Sequence, residues 1–324
     1  MSRRDFEKQK ILITGASGFI GHALATSLSS IDCSITRSSR NNNKLLSLTG
    51  TAKITDTEVD YSDPKVWHKL IDGVDTIFYL GAQTSASDAN LSPSRDYRNN
   101  VLPLLNLLEH CRDSGLKPTI VFASTATVVG LTEQMPVAEG IYENPITVYD
   151  IHKLCCEKYL SYYAQNHHVR YCSLRLANVY GPGTATGSAD RGILNMMISR
   201  AIQSESLSIF GDGKQVRDYT YITDVVRAFE AAAAYIDKTN GQYFNIGSGQ
   251  GHNFIEAFSA VAECVRLKTG QNAEIEHVAA PADLASIETR NYVADTANFS
   301  ATTGWSAQVD LRSGIQKTVE QLVG

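Results

Sequence analysis

The sequence predicts an α/β protein built on a doubly wound parallel sheet, with a smaller α/β lobe toward its C-terminal side. Three observations point to this fold class. Short apolar segments alternate with segments whose apolar residues recur at helical spacing, which is the pattern of βαβ units. The first apolar segment ends in a glycine-rich turn that opens a helix. Beyond residue 180 the chain changes to small-residue loops and further helices, which indicates a second lobe.

Composition restricts the classes of protein to which the chain can belong. Its 324 residues are 43% hydrophobic and 19% charged, as in globular proteins, and its formal net charge is −5. An acidic balance argues against a nucleic-acid partner, and no apolar run approaches the ~20 residues of a membrane span. The six cysteines form no Cys-x-x-Cys pair and no zinc spacing. We therefore expect reduced thiols, no metal site, no membrane partner and a cytoplasmic location.

The first strand–turn–helix unit carries the clearest ligand-binding signal. An apolar run at 10–14 is followed by Gly15, Gly18 and Gly21, spaced three apart, and then by a helical pattern. Gly15 allows a tight turn, Gly18 a close approach of phosphate, and Gly21 close packing of helix on strand. Backbone N–H groups at the helix start favour a pyrophosphate. The unit predicts a Rossmann-type dinucleotide site, although a glycine-rich turn alone can also be an ordinary connection.

Five more strands are predicted in the first half of the chain. The predicted strands lie near 33–36, in a segment ending at 59, and near 75–80, 118–123 and 171–176. The helices predicted between them lie near 66–71, 99–111 and 149–164. In parallel sheets, ligands bind outside the carboxyl ends of the strands. The residues that directly follow each strand are therefore the candidate ligand contacts.

The sequence pattern changes near residue 180, from alternating strands and helices to small-residue loops and further helices. We assign 1–180 to an NAD(P)-binding Rossmann domain and 181–324 mainly to a substrate-binding lobe, some of whose segments can return to the first domain. The helices predicted in the second part lie near 193–202, 229–236, 254–267 and 311–322.

A tyrosine and a lysine four residues apart, Tyr149 and Lys153, begin one helix and share its face. A phenol has a pKa near ~10, too high for a base at neutral pH, and a nearby ammonium lowers that pKa. Ser124 and Thr125 follow on the fifth strand, where a hydroxyl can hydrogen-bond a substrate oxygen. A surface helix and a common strand end are the ordinary alternatives. The order in which these features follow the glycine turn favours proton transfer beside a dinucleotide.

Together these motifs resemble the extended short-chain dehydrogenase/reductases of the nucleotide-sugar epimerase, reductase and dehydratase group, over nearly the whole chain. The segments that carry the resemblance are 14–21, Asp60, 99–101, 124–130, Tyr149 with Lys153, 175–182, 210–219, and Asp295 with 304–305. The resemblance implies the Rossmann fold, an NAD(P) cofactor and a nucleotide-diphosphate sugar as substrate, with a UDP-hexose as the first expectation.

The resemblance also implies roles for individual residues. Tyr149 is the catalytic acid/base, Lys153 holds the nicotinamide ribose and tunes Tyr149, and Thr125 is the catalytic hydroxyl beside it. The further residues implied for the cofactor are Gly15, Ser17, Gly18, Phe19, Ile20, Gly21, Asp60, Tyr61, Leu80, Gly81, Ala82, Gln83, Asn99 and Ala177. The residues implied for the substrate are Thr84, Thr125, Asn178, Arg217 and Arg290.

Three departures from the family pattern change these expectations. The second strand ends in Arg37, where NAD-preferring members tend to carry an acid. Arg37 with Arg40 can bind a 2′-phosphate, so NADP is favoured and NAD is the alternative, while a basic surface loop is the ordinary explanation. The segment 128–130 has valine where the family usually has tyrosine. The loop 279–283 lacks the arginine often found there, and Arg290 is the expected substitute.

The choice of reaction depends on the two residues after Thr125. The resemblance implies acidic residues there in dehydratases and a glutamate in decarboxylating relatives, but Ala126 and Thr127 cannot act as acid or base. Our first hypothesis is an NAD(P)-dependent 4-epimerase, which oxidises and re-reduces a hexose C4 hydroxyl through a 4-keto intermediate. An NADPH-dependent 4-keto-sugar-nucleotide reductase is the second hypothesis. A non-catalytic nucleotide-binding protein on the same fold is the third.

A homodimer is expected from the resemblance alone. Related enzymes pair two helices from each subunit, here around 99–113 and 149–166. The side chains that can supply contact area, or can instead face their own core, are Leu154, Cys155, Tyr159, Tyr162 and Tyr163.

Overall fold

The apolar run at 10–14 forms an interior strand of a seven-stranded sheet in the computed structural model, which describes residues 3–183, 192–281 and 286–324. The strands of this sheet are β1 (Lys10–Thr14), β2 (Ser34–Ser39), β3 (Lys53–Glu58), β4 (Thr76–Tyr79), β5 (Thr119–Thr125), β6 (Arg170–Leu176) and β10 (Gln242–Ile246). Their order is β10-β6-β5-β4-β1-β2-β3, and every pairing is parallel. The predicted Rossmann-type α/β fold is therefore confirmed.

Helices cover both faces of the sheet, and the side chains of β1 point alternately to one face and the other. Ile11 and Ile13 pack into one core layer and Leu12 into the other. The helices of the first layer are α1 (Phe19–Leu28) and α8 (Ile222–Ala234), and those of the second are α2 (Val66–Leu70), α5 (Leu102–Ser114) and α6 (Val148–His167). The strand order reverses at β1, since β2 lies on one side and β4 on the other. Such a reversal opens a crevice at the carboxyl ends of the strands.

The second part of the chain contributes to two cores. The strands and helices of the smaller lobe are β7 (Asn178–Tyr180), α7 (Ile193–Ile202), β8 (Leu207–Phe210), β9 (Val216–Tyr221), β11 (Gly251–Asn253), α10 (Phe254–Thr269), β12 (Ile275–Val278) and α12 (Leu311–Val323). They form a three-stranded sheet, a two-stranded sheet and one apolar core. By contrast, β10, α8, α9 (Ile236–Thr239) and α11 (Ala297–Thr303) pack with the first domain, so segments beyond residue 180 return to it.

The helix predicted over 99–111 is two helices. The first, α4 (Pro93–Asn100), follows α3 (Ala86–Leu91) and ends before Val101, after which α5 begins. Pro103 lies in the first turn of α5. A proline has no backbone N–H, and its ring clashes with the carbonyl four residues earlier, so a continuous helix through 99–103 is excluded.

Two findings bear on the expected absences. Among the described residues, none of the helices is both long and apolar enough to cross a bilayer. In the same part of the chain, no group of three or more His, Cys, Asp or Glu side chains is placed to hold a metal ion.

Candidate active site

A cavity of about 1120 Å³ opens outside the carboxyl ends of β1, β4 and β5. Its lining contains all the predicted binding residues except Arg37 and Arg217. The predicted cofactor residues in the lining are Gly15, Ser17, Gly18, Phe19, Ile20, Gly21, Arg40, Asp60, Tyr61, Leu80, Gly81, Ala82, Gln83, Asn99, Tyr149, Lys153 and Ala177. The predicted substrate residues in the lining are Thr84, Thr125, Asn178 and Arg290.

The glycine turn has no space for a side chain at Gly15 or Gly21. Gly15 has a φ of +65°, and a Cβ atom there would lie 2.8 Å from the backbone of Gly81. A Cβ atom on Gly21 would lie 2.4 Å from the Gly15 carbonyl oxygen. Gly18 precedes α1, and no side chain caps that helix start. The turn therefore fits a pyrophosphate held by backbone N–H groups.

Arg37 does not reach this cavity, so its predicted contact with a 2′-phosphate is wrong. The strand predicted to end at 36 continues to Ser39, which places Arg37 inside β2 and opposite Asp56 of β3. Its Nε and one terminal nitrogen each donate to the Asp56 carboxylate at 2.7 Å, and the other nitrogen donates to the Leu46 carbonyl. The guanidinium is buried in that cross-strand pair.

Other polar side chains take the place of Arg37 at the end of β2. Ser39, Arg40 and Lys44 line the cavity there. Tyr61 closes the same end, because its hydroxyl contacts Ser38 Oγ at 2.8 Å and accepts the Gly15 N–H at 3.2 Å. The basic groups available to a phosphate on the ribose are therefore Arg40 and Lys44.

Tyr149 and Lys153 lie in the first turns of α6 and both line the cavity. Lys153 is buried, and its Nζ donates to the Ala123 carbonyl at 2.6 Å and lies 6.0 Å from the centroid of the Tyr149 ring. The carbonyl at the end of β5 thus fixes the ammonium beside the phenol.

The expected lowering of the Tyr149 pKa by Lys153 is not what the structure shows. Burial raises the pKa of Tyr149, and the carboxylates of Asp150 and Asp96 act in the same direction. Burial also lowers the pKa of Lys153. The phenol is therefore held protonated at neutral pH in the protein alone.

Thr125 ends β5 and begins a row of hydrogen-bonded hydroxyls. Its Oγ1 contacts Thr127 Oγ1 at 2.7 Å, and Thr127 donates to the carboxyl of Asp150. The other oxygen of Asp150 accepts the hydroxyl of Thr147 at 2.7 Å. Ser124 has a different role, since its hydroxyl donates to buried Glu157 at 2.5 Å. Thr125 is therefore the strand-end hydroxyl available to a ligand.

Two side chains that sequence reasoning missed, Asn100 and Asp96, fix the cavity wall at Gln83, beside Thr84. Asn100 donates to the Gln83 carbonyl at 3.0 Å and accepts the Gln83 N–H at 2.8 Å. Asp96 accepts a hydrogen bond from Asn100 at 2.9 Å and contacts His152 Nδ1 at 2.6 Å. The adjacent asparagines at 99 and 100 were the available signal, and only Asn99 was assigned a role from it.

Arg217 lies behind the substrate end of the cavity and not in it, so its predicted direct contact is also wrong for this structure. Its guanidinium is buried and donates to the carbonyls of Glu288 and Arg290, which fixes the segment carrying Arg290. Arg290 itself lines the cavity and donates to Asn178 Oδ1 at 3.5 Å. Residues 282 and 283 of the late loop lie outside the described part of the chain.

Tyr292 is a further lining residue that sequence reasoning missed. It packs with Val128 and Val129 in one apolar cluster, and its buried hydroxyl has no hydrogen-bond partner among the described residues. A phenol is therefore present beside the valines, although the family's usual tyrosine is absent from 128–130.

Comparisons with known proteins agree with this arrangement. A UDP-glucose 4-epimerase of Mycolicibacterium smegmatis is 29% identical over 316 residues, covering 96% of this chain and 97% of that protein. The crystal structure of the Thermotoga maritima UDP-glucose 4-epimerase with UDP-glucose superposes with a TM-score of 0.86 at 29% identity, covering 97% of this chain and 98% of the other. A dTDP-4-dehydro-6-deoxyglucose reductase of Escherichia coli is 24% identical, covering 98% and 99% of the two chains.

The family model of the NAD dependent epimerase/dehydratase family matches residues 11–247, which include the glycine turn, Thr125, Tyr149 and Lys153. The chain therefore belongs to this family of NAD-dependent enzymes, which are of the extended short-chain dehydrogenase/reductase type.

Proposed function

We propose that the protein is an NAD(P)-dependent nucleotide-sugar 4-epimerase acting on a UDP-hexose. The observation that carries the proposal is the cavity itself, which combines the glycine turn with Tyr149, Lys153 and Thr125. The two residues after Thr125, Ala126 and Thr127, carry no acid for a dehydration. The similarity to two UDP-glucose 4-epimerases over nearly the whole chain supports the choice of substrate.

The side chains divide the proton transfer between them. Tyr149 accepts the proton of the C4 hydroxyl as the sugar is oxidised and returns it as the ketone is reduced. Thr125 hydrogen-bonds the same oxygen, and Lys153 binds the ribose and keeps its positive charge near the phenol. A bound nicotinamide would supply the acceptor and donor of the hydride, and its positively charged oxidised ring would favour the phenolate. After rotation of the keto sugar, return of the hydride to the other face inverts C4.

A 4-keto-sugar-nucleotide reductase is the second candidate, because it uses the same residues once and in one direction. Arg40 and Lys44 favour it, since a net reduction commonly draws on NADPH. A non-catalytic binding protein is a weaker proposal, because Tyr149, Lys153 and Thr125 are all present in one cavity.

The proposal is tested with a panel of UDP-, GDP-, dTDP- and CDP-hexoses and the corresponding 4-keto sugar nucleotides, each incubated with the protein with and without NADPH and analysed by NMR. A 4-epimerase interconverts the C4 epimers of one member without consuming NADPH. Consumption of one NADPH per 4-keto sugar, with no interconversion of epimers, would establish the reductase instead.

For the cofactor, we propose NAD(P) with a preference for NADP that depends on Arg40. Arg40→Ala should weaken NADP binding about tenfold, or ~1.4 kcal/mol, because a charge-assisted contact to the 2′-phosphate is lost. NAD binding should change less than twofold. Titration of each variant with both dinucleotides measures the ratio of the two affinities. Arg37→Ala is the control, and it should lower stability but leave the ratio unchanged. If the affinity for NADP relative to NAD fell in Arg37→Ala and not in Arg40→Ala, the assignment of Arg40 would be contradicted.

For the substrate, we propose that Arg290 binds the diphosphate. Arg290→Ala should raise KM for the sugar nucleotide at least tenfold and change kcat less than threefold, because the contact is the same in ground and transition states. Arg312→Ala, which removes an exposed arginine of α12, is the matched control and should leave KM unchanged. A normal KM for Arg290→Ala would show that the diphosphate lies elsewhere.

We also propose a homodimer that pairs α5 and α6. Tyr162 is 54% exposed on α6 and is available for such a contact, whereas Tyr163 is buried in its own core. Cys155 and Tyr159 are partly buried against the same core.

A further inference from the structure

Asp150 is a buried carboxyl directly after Tyr149, and the reaction scheme above does not use it. Its side chain lies behind the cavity wall and is 1% exposed. Through Thr127 it is connected to Thr125, whose hydroxyl faces the cavity. The hydrogen-bonded route from Asp150 to a bound sugar beside Thr125 therefore runs along these two hydroxyls.

Counting hydrogens gives the direction of the row. An ionised carboxyl only accepts, and each threonine hydroxyl has one hydrogen to donate. When Asp150 is ionised, Thr127 donates to it and Thr125 must donate to Thr127. Thr125 then has only lone pairs for the cavity. When Oδ1 of Asp150 carries a proton, every bond reverses, and Thr125 donates its hydrogen into the cavity.

The two directions serve the C4 oxygen unequally. During oxidation this oxygen gives its proton to Tyr149 and develops the charge of a carbonyl oxygen, which hydrogen-bond donors stabilise. Thr125 as a donor stabilises that state. Thr125 as an acceptor competes with Tyr149 for the hydroxyl proton. Only the row with protonated Asp150 therefore assists the reaction.

We propose that Asp150 is a positioning residue whose protonated form turns the Thr125 hydroxyl, through Thr127, toward the C4 oxygen as a hydrogen-bond donor. The proposal rests on the proposed function, since it assumes a sugar oxygen beside Thr125.

The surroundings of Asp150 favour its protonated form. Burial is the largest influence and raises the pKa of Asp150, and Glu288 acts in the same direction. The hydroxyls of Thr127 and Thr147 and the charge of Arg290 oppose it. Tyr149, the preceding residue of α6, is a titratable neighbour, and the negative charge of Asp150 raises its pKa. The protonated form is present below this raised pKa and is lost as pH rises through it.

The test compares kcat of five proteins across pH in the epimerase assay. Wild type and Thr127→Ser keep the row and should share one profile. Asp150→Asn can donate permanently through its amide, and Thr127→Val breaks the row and frees Thr125. Both variants should match wild type at acidic pH and exceed it tenfold or more above the pKa of Asp150. Asp72→Asn removes the same charge at an exposed position, and its kcat should follow the wild-type pH profile.

Two outcomes would overturn the proposal. One is a change in kcat by the same factor at every pH in Asp150→Asn and Thr127→Val, which indicates a structural role. The other is an identical dependence of kcat on pH in all five proteins. If Asp150→Asn does not fold, the Thr127→Val and Thr127→Ser pair decides alone.

Infrared difference spectroscopy separates this proposal from the proposed function. The carbonyl stretch of protonated Asp150 should titrate in wild type, shift in Thr127→Val and be missing in Asp150→Asn. If the band titrates but no sugar nucleotide is turned over, the proposed function fails and the protonation of Asp150 stands. If the sugar is turned over without such a band, only the Asp150 proposal fails.

Discussion

Tyr149→Phe should lower kcat for C4 epimerisation about 10³-fold, within the range known for loss of a general acid/base. The substitution keeps the ring, and with it the packing at the start of α6, and removes the hydroxyl that carries the proton. KM for the sugar nucleotide should change little, because the phenol acts on the reacting oxygen and not on the diphosphate. Steady-state kinetics on the purified variant measures both constants.

The direction of the Tyr149 pKa adds a pH dependence to this prediction. Because burial raises that pKa, the Tyr149 phenolate is scarce at neutral pH, and its fraction increases with each rise in pH. Oxidation needs this phenolate. At pH values above the pKa of Asp150, where the Thr125 hydroxyl no longer changes direction, single-turnover oxidation by wild type should therefore become faster with pH, and the residual rate of Tyr149→Phe should not. Tyr159→Phe makes the same chemical change later on α6 and should leave both rates unchanged. Wild-type turnover by Tyr149→Phe would refute the mechanism.

Gly21→Ala should disrupt the dinucleotide site, because the added methyl group has no space against the turn. The added Cβ would lie 2.4 Å from the Gly15 carbonyl oxygen and 2.9 Å from Ala16 Cα, and neither backbone atom can yield without moving the turn. Alanine gains up to ~1 kcal/mol in helix propensity, but overpacking costs about 1–3 kcal/mol and sometimes more. The net result should be lower stability and a Kd for NAD(P) at least tenfold higher.

Gly270→Ala is the matched control for this loss. Gly270 caps α10 with a φ of +76° and has open space around its Cα. Alanine there costs about 1 kcal/mol of backbone strain and should leave the Kd unchanged. Thermal unfolding and dinucleotide titration of both variants distinguish the two effects. Equal Kd values for Gly21→Ala and wild type would show that the cofactor does not depend on the turn.

Local patterns predicted the parts of the site that depend on backbone geometry. The spacing of Gly15, Gly18 and Gly21 requires a tight turn wherever it follows a buried strand. Tyr149 and Lys153 must share a helix face because they are four residues apart. These features are short-range, so the sequence contains what is needed to predict them, and the fold class follows from the repetition of such units.

Long-range pairing explains the two wrong assignments. Arg37 is a basic residue near a strand end, and only the register of β2 against β3 shows that Asp56 binds it. Arg217 lies in a motif typical of phosphate contacts, but the carbonyls of Glu288 and Arg290, some 70 positions later in the chain, occupy its guanidinium. Neither partner is implied by residues nearby in sequence.

Asp150 shows why tertiary structure adds chemistry that motifs omit. Within the sequence it is a spacer between Tyr149 and Lys153. In the structure its carboxyl is hydrogen-bonded to Thr127, which follows the end of β5. Asp150 is therefore the buried end of the row of hydroxyls. Inspection of 126 and 127 alone therefore excluded a carboxyl acting directly on the sugar, but it could not show one acting through Thr127.

The central claim is that C4 is inverted by removal and return of its own hydrogen as hydride. UDP-glucose carrying deuterium at C4 tests this claim when it is incubated with the protein and NAD(P) in ordinary water and the product is analysed by NMR and mass spectrometry. We predict UDP-galactose that retains deuterium at C4. Loss of the deuterium to water during epimerisation, or absence of a C4 epimer with active protein, would contradict the proposed mechanism.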